Sequence, residues 1–155
     1  RWFEKLNDED MEIIDWALSK TYLTEYQDRP VSSLSGGESQ RAWIAMALAQ
    51  SPKILLLDEP TTYLDISHQH EVLELVRELN SEMDMTVLMV LHDLNQASQY
   101  SDRIVVVQSG EKAMQGTPKE VMTQEMIRSV YCMDCEIQYV QTERKPRIHL
   151  LKKVK

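Results

Sequence analysis

Two short apolar runs, Ile54-Leu55-Leu56-Leu57 and Thr86-Val87-Leu88-Met89-Val90, most constrain what this chain can fold into. Neither alternates with polar residues, so each reads as a strand buried on both faces. Between them Val72, Leu75, Val76 and Leu79 fall at i, i+3, i+4 and i+7, one apolar stripe of a helix that Ser67 is placed to cap. Strand, helix and strand in that order imply parallel strands joined by a crossover and covered by helices. The fold class is α/β.

The flanking segments fill out this scheme. Asp8 is placed to cap a first helix over 8–20, with Met11, Ile14, Ala17 and Leu18 on one face. Asp28-Arg29-Pro30 breaks the chain, and an Ala- and Leu-rich helix is expected over 38–50, ended by Ser51-Pro52. Beyond the second strand a short helix is expected over 94–100. Ile104 to Gln108 and Lys112 to Gln115 flank Ser109-Gly110-Glu111 as a hairpin. One or two short helices over 118–131 and a closing strand pair, 137–141 with 147–151, complete the reading.

Composition excludes several classes. The net charge of −8 argues against a chain whose main task is gripping a nucleic-acid backbone, because Lys and Arg carry that energy. Lys152, Lys153 and Lys155 form a small basic cluster that reads as a solvated tail. No apolar stretch approaches the ~20 residues of a membrane span. Two cysteines, Cys132 and Cys135, are too few for a disulfide framework and fit a reducing cytosol; with no second pair of ligands nearby they make a poor metal site. A start at Arg1-Trp2-Phe3, without an initiator Met, is expected of an excised or processed piece.

Four local patterns carry chemistry. Leu34-Ser35-Gly36-Gly37-Glu38 precedes a helix; its glycines admit close backbone approach and the helix N-terminus attracts an anion. The first buried strand ends in Asp58-Glu59-Pro60, placing two carboxylates at the C-terminal sheet edge where open α/β sheets bind ligands. Neighbouring strand residues face opposite ways, so one acid can hold Mg²⁺ while the other orients an attacking water. Leu64-Asp65 follows in a loop before a helix, where an Asp most often caps. Val90-Leu91-His92-Asp93 ends the second strand and puts His92 at the same sheet edge, within reach of a γ-phosphate.

In that order these patterns resemble the signature motif (Leu34 to Arg41), Walker B with its catalytic glutamate (Ile54 to Glu59), the D-loop (Thr62 to Asp65) and the switch histidine (His92) of ATP-binding-cassette (ABC) ATPases. The stretches Gln40 to Gln50, Asp58 to Asp65 and Leu91 to Ala97 are similar to the iron-chelate branch of bacterial ABC importers. That branch handles ferric siderophores, with haem and cobalamin importers as relatives.

The resemblance implies the parallel-sheet core of a P-loop NTPase fold, incomplete, with part of a helical subdomain and a C-terminal β-rich extension. It implies three parts: 1–50 with the signature, 51–108 with Walker B, D-loop and switch His, and 109–155 closing the chain. Ser35, Gly36 and Gly37 would meet the γ-phosphate of ATP held by a second ATPase subunit, with Glu38 and Asp65 in the same nucleotide-binding set. Asp58 would coordinate Mg²⁺, Glu59 would polarise water, His92 would touch the γ-phosphate, and Asp65 would communicate across a homodimer. The implied partners are that second subunit and a transmembrane permease, with no nucleic acid, on the cytoplasmic face of the bacterial membrane.

One part of the pattern is missing from these residues. A P-loop needs Gly-x-x-x-x-Gly-Lys-Ser/Thr, and none of Gly36, Gly37, Gly110 and Gly116 stands in one. The Q-loop glutamine and adenine-stacking aromatic are expected upstream. ATPases of chromosome maintenance and DNA repair split their cassette this way, which makes such a lobe the alternative reading. The acidic charge and the lack of coiled-coil heptads before Leu34 count against it. An inactive interaction module is the other alternative.

Overall fold

The computed structural model describes residues 6–139 and 145–154. Arg1-Trp2-Phe3, Val140 and Gln141 of the expected closing strand and Lys155 of the basic cluster lie outside the described residues. By packing the chain divides into two compact units, Arg1–Val90 and Leu91–Lys155.

The first unit runs α1 (Asp8–Lys20), two 3₁₀ turns (Thr24–Tyr26 and Val31–Ser33), α2 (Gly36–Leu48), β1 (Ile54–Asp58), α3 (Ile66–Met83) and β2 (Thr86–Val90). The cap of α1 is Asn7, one residue before the expected Asp8. Its Oδ1 accepts from Asp10 N at 2.9 Å, while Asp10 Oδ2 accepts from Asn7 N at 3.0 Å. This reciprocal pair satisfies two orphan donors, and Asp8 instead adds negative charge at the positive end of the helix. The expected cap Ser67 is likewise displaced: Asp65 caps α3 from two residues earlier. Two glycines did not delay α2, which starts at Gly36, because Ser35 and Glu38 close a capping box there.

Val72, Leu75, Val76 and Leu79 of α3 are all buried, packed with Ala17, Leu23, Ile44, Leu48, Leu55 and Met85. Full burial of each large aliphatic side chain contributes about 1.5–3 kcal/mol, so this stripe is what holds α3 to the unit. β1 and β2 pair in parallel, Ile54 opposite Thr86 through Asp58 opposite Val90.

The strands are not buried on both faces. Leu55 and Leu57 pack into the core, but Ile54 is 61 %, Leu56 68 %, Leu88 59 % and Val90 50 % exposed. The apolar runs encode two covered faces, and the described residues of this unit supply one covering layer. A contiguous apolar sheet face of this kind drives association. The 155-residue chain is therefore expected to self-associate in sedimentation velocity, and the double substitution Leu56→Lys/Leu88→Lys to raise the monomer fraction. An unsubstituted chain that stays monomeric at high micromolar concentration would contradict this.

The second unit holds α4 (Leu94–Tyr100), β3 (Ile104–Gln108), β4 (Glu111–Gly116), α5 (Pro118–Val121), α6 (Gln124–Tyr131), β5 (Met133–Tyr139) and β6 (Pro146–Lys153). The β3–β4 hairpin turns on Ser109 and Gly110, both at positive φ (53° and 82°), the backbone that a two-residue turn between twisted strands requires. β5 and β6 pair antiparallel, and both strands run longer than expected. Ile104, Val106, Val121, Met122, Met126, Ile127, Cys135 and Ile148 form the core. Burial pushes the Cys135 thiol up, so it behaves as a small apolar residue.

Candidate functional site

The signature segment forms the N-terminus of α2. Ser35 Oγ accepts from Glu38 N at 3.3 Å, and Ser35 N donates to Glu38 Oε2 at 2.7 Å. That backbone hydrogen bond, with the Ser35 hydroxyl, holds the Glu38 carboxyl below its usual range. Tyr26 also bonds Glu38, which raises the phenol's own value. Ionised and folded back on the cap, Glu38 fixes Ser35 and can only accept. The N–H groups of Gly36 and Gly37, at the first two helical positions, have no partner inside the helix and can serve an anion.

The two glycines differ in surroundings. A Cβ on exposed Gly36 would lie 3.3 Å from Leu64 Cδ2. One on buried Gly37 would lie 2.4 Å from His68 Cδ2 and 2.9 Å from its Cγ. His68 was not singled out in the sequence, yet it joins two motifs. Its Nδ1 sits 2.9 Å from Asp65 Oδ1, and its backbone N donates to the same oxygen at 3.0 Å. These bonds hold the Asp65 carboxyl below its usual value. A candidate signal for His68 was its i+3 spacing from a capping Asp. Behind it Arg41 of α2 pairs with Glu71 of α3 at 2.9 Å, so the starts of both helices are held together. Signature and D-loop thus meet.

At the end of β1, Asp58 is exposed and opposite Val90. Glu59 leaves the strand with φ at +48°, a left-handed conformation that is uncommon outside glycine and stored where function or packing requires it. Its N donates to Val90 O at 3.1 Å, extending the ladder by one bond. Thr62 Oγ1 donates to Glu59 Oε2 at 3.0 Å, and Thr62 N donates to Glu59 O at 3.1 Å. The turn and the Thr62 hydroxyl therefore pin a half-buried carboxylate at the end of the strand. Tyr63, also at positive φ, projects wholly into solvent at the loop tip.

His92 lies in the second unit, two residues beyond the end of β2, and is exposed. Asp93 next to it caps α4, accepting from Gln96 N at 2.8 Å. Among the described residues no group of three or more His, Cys, Asp or Glu could hold a metal ion. Asp58 is a single exposed carboxylate, and that donor set suits a Mg²⁺ that keeps waters and takes phosphate oxygens.

The first unit thus joins a parallel β-α-β core, two neighbouring acids at a strand end and a pair of glycines at a helix start. Residues 3–62 match the model of the family described as ABC transporter. The chain is 57% identical to the petrobactin import ATP-binding protein of Bacillus anthracis over 136 residues, 88% of this chain and 50% of that protein. It is 52% identical to the iron(3+)-hydroxamate import ATP-binding protein of Bacillus subtilis, over 87% of this chain and 50% of that protein. A metal-chelate type ABC transporter in an inward-facing conformation superposes with a TM-score of 0.89 at 29% identity, over 98% of this chain and 62% of that one. The chain belongs to the ABC-transporter ATP-binding family. It spans about half the length of the curated relatives it matches.

Proposed function

We propose that these residues serve the ATP-binding and hydrolysing subunit of an importer for iron chelates, with a ferric siderophore as cargo and haem or cobalamin as related possibilities. The observation that carries the reading is the turned, Thr62-pinned Glu59 beside Asp58 at the end of β1. The identities to a petrobactin-import and an iron(3+)-hydroxamate-import ATP-binding protein support the choice of cargo class.

In this reading Asp58 holds Mg²⁺, which neutralises charge on the phosphate oxygens when bound. Glu59, fixed by the Thr62 hydroxyl, orients and polarises the attacking water. The Ser35 hydroxyl and the N–H groups of Gly36 and Gly37 hold the γ-phosphate of ATP bound by a second ATPase subunit. Glu38 contributes to nucleotide binding through the cap it closes on Ser35. His92 contacts the γ-phosphate, and Asp65, which caps α3 through the His68 amide, relays the state of one subunit to the other. The cradle for the remaining phosphates belongs to a P-loop upstream of these residues. A permease at the cytoplasmic face of the membrane is the partner that receives the work.

The test is uptake. This chain, joined behind a P-loop-bearing upstream segment, is placed in cells lacking their own hydroxamate-import ATP-binding protein. Restored uptake of radioactive iron as a hydroxamate chelate, lost in His92→Ala, is the expected result. Restoration of haem or cobalamin uptake alone would overturn the siderophore assignment.

A further inference from the structure

We infer that the closing hairpin β5–β6 is the seat that positions His92, through an amide clamp made by Asn95. α4 has seven residues, too few to be stable by themselves, so something outside the helix must fix it. β6 does so along its free edge. Asn95 Nδ2 donates to Ile148 O at 3.0 Å, and Ile148 N donates to Asn95 Oδ1 at 2.7 Å. One side-chain amide thereby stands in for the next strand, supplying both the donor and the acceptor that an edge residue lacks.

Two further anchors lie along the same edge. Ser98, 1 % exposed, donates its hydroxyl to Pro146 O at 2.6 Å. Lys145 Nζ donates to Gln99 O at 2.8 Å and to Ser101 O at 3.0 Å, taking up carbonyls at the C-terminal end of α4 where a cation is favoured. Leu94 and Ala97 are half-buried against the core that contains Ile148, so the polar anchors act beside this packing in fixing α4.

His92 directly precedes Asp93, the cap of α4. Its place within the second unit is therefore set through Asn95, whose partner Ile148 lies 53 residues further along the chain. Asn95 is a positioning residue, and the catalytic consequence of the clamp rests on reading His92 as the γ-phosphate contact. The closing hairpin then has a task in this chain beyond covering its own core.

The experiment is residue-resolved amide exchange of the 155-residue chain, with the imidazole NMR signals of His92 followed alongside. Asn95→Leu keeps a branched side chain of similar size and removes both clamp bonds. Amides over 92–100 are expected to exchange about tenfold faster or more, and the His92 signals to move toward those of a mobile histidine, while β5 amides keep their protection. A merely structural role would loosen β5 together with α4. If Asn95→Leu unfolds the whole unit, Asn95→Asp, which keeps an acceptor for Ile148 N and loses the donor to Ile148 O, is expected to accelerate 92–100 with β5 intact. Unchanged His92 signals and unchanged exchange at 92–94 in a variant that keeps β5 protected would overturn the inference, as would loss of β5 protection in both variants. In a cassette completed by an upstream P-loop segment, His92→Ala separates the two ideas. Full turnover there would remove the phosphate role of His92 and leave the exchange result standing.

Discussion

Gly37→Ala is expected to destabilise the first unit by about 1–3 kcal/mol in urea denaturation, the usual range for forcing atoms into a filled space. The added methyl would sit 2.4 Å from His68 Cδ2, 2.9 Å from Cγ and 3.1 Å from Cβ. A free imidazole could swing aside, but this one is tied through Nδ1 to Asp65 Oδ1 at 2.9 Å. Relief of the clash therefore disturbs the carboxylate that caps α3. Gly36→Ala meets only Leu64 Cδ2 at 3.3 Å, the end of a flexible side chain, and gains about 1 kcal/mol of helix propensity, so it should be near neutral. His68→Ala opens the space. In that background Gly37→Ala should cost much less than alone, a coupling that a double-mutant cycle reads directly. Equal costs in both backgrounds would show that the ring is not the obstacle.

The largest kinetic effect is expected at Glu59. In a cassette completed by an upstream P-loop segment, Glu59→Gln should lower kcat by about 10²–10⁴-fold, the range for losing a positioned general base, with ATP affinity preserved. The amide keeps the size and one acceptor of the carboxylate but cannot take up a proton. Thr62→Val removes the hydroxyl that pins Glu59 Oε2 at 3.0 Å and leaves the carboxylate in place, so its loss of kcat should be smaller. A Glu59→Gln cassette that turns over within a fewfold of the unsubstituted one would move the base to another residue.

Much of this architecture was legible from residues alone, for local reasons. The α3 stripe has the helical period, and its four named positions are all buried. Ser109-Gly110 carries a left-handed turn in its composition, and the hairpin forms on it. Caps were less legible, because several polar residues stand at each helix start. Asn7 displaces Asp8 by closing a reciprocal pair with Asp10, and Asp65 displaces Ser67 by reaching His68. The exposed face at Ile54, Leu56, Leu88 and Val90 was read as buried because an apolar run records what a strand can bury and is silent on which residues cover it.

At the site the motifs disclosed which residues to examine and left their supports hidden. Thr62 under Glu59, His68 between Asp65 and Gly37, and Ile148 behind Asn95 are long-range or turn-dependent contacts. Gly37 and Asn95 meet their partners across separate segments, which no spacing along the chain records, whereas Thr62 and His68 reach Glu59 and Asp65 from three residues away. Glu38 shows the reverse case: its place in the signature suggested contact with nucleotide, and its geometry is that of a cap.

The most direct test of the central claim is Mg²⁺-dependent ATP turnover by the purified 155-residue chain, with Glu59→Gln as its control. With the proposed catalytic carboxylate and signature cradle here and the phosphate-binding loop elsewhere, turnover no higher than that of the control is expected. Turnover well above the control, and abolished by Glu59→Gln, would mean that these residues hold the phosphates themselves and would contradict this placement.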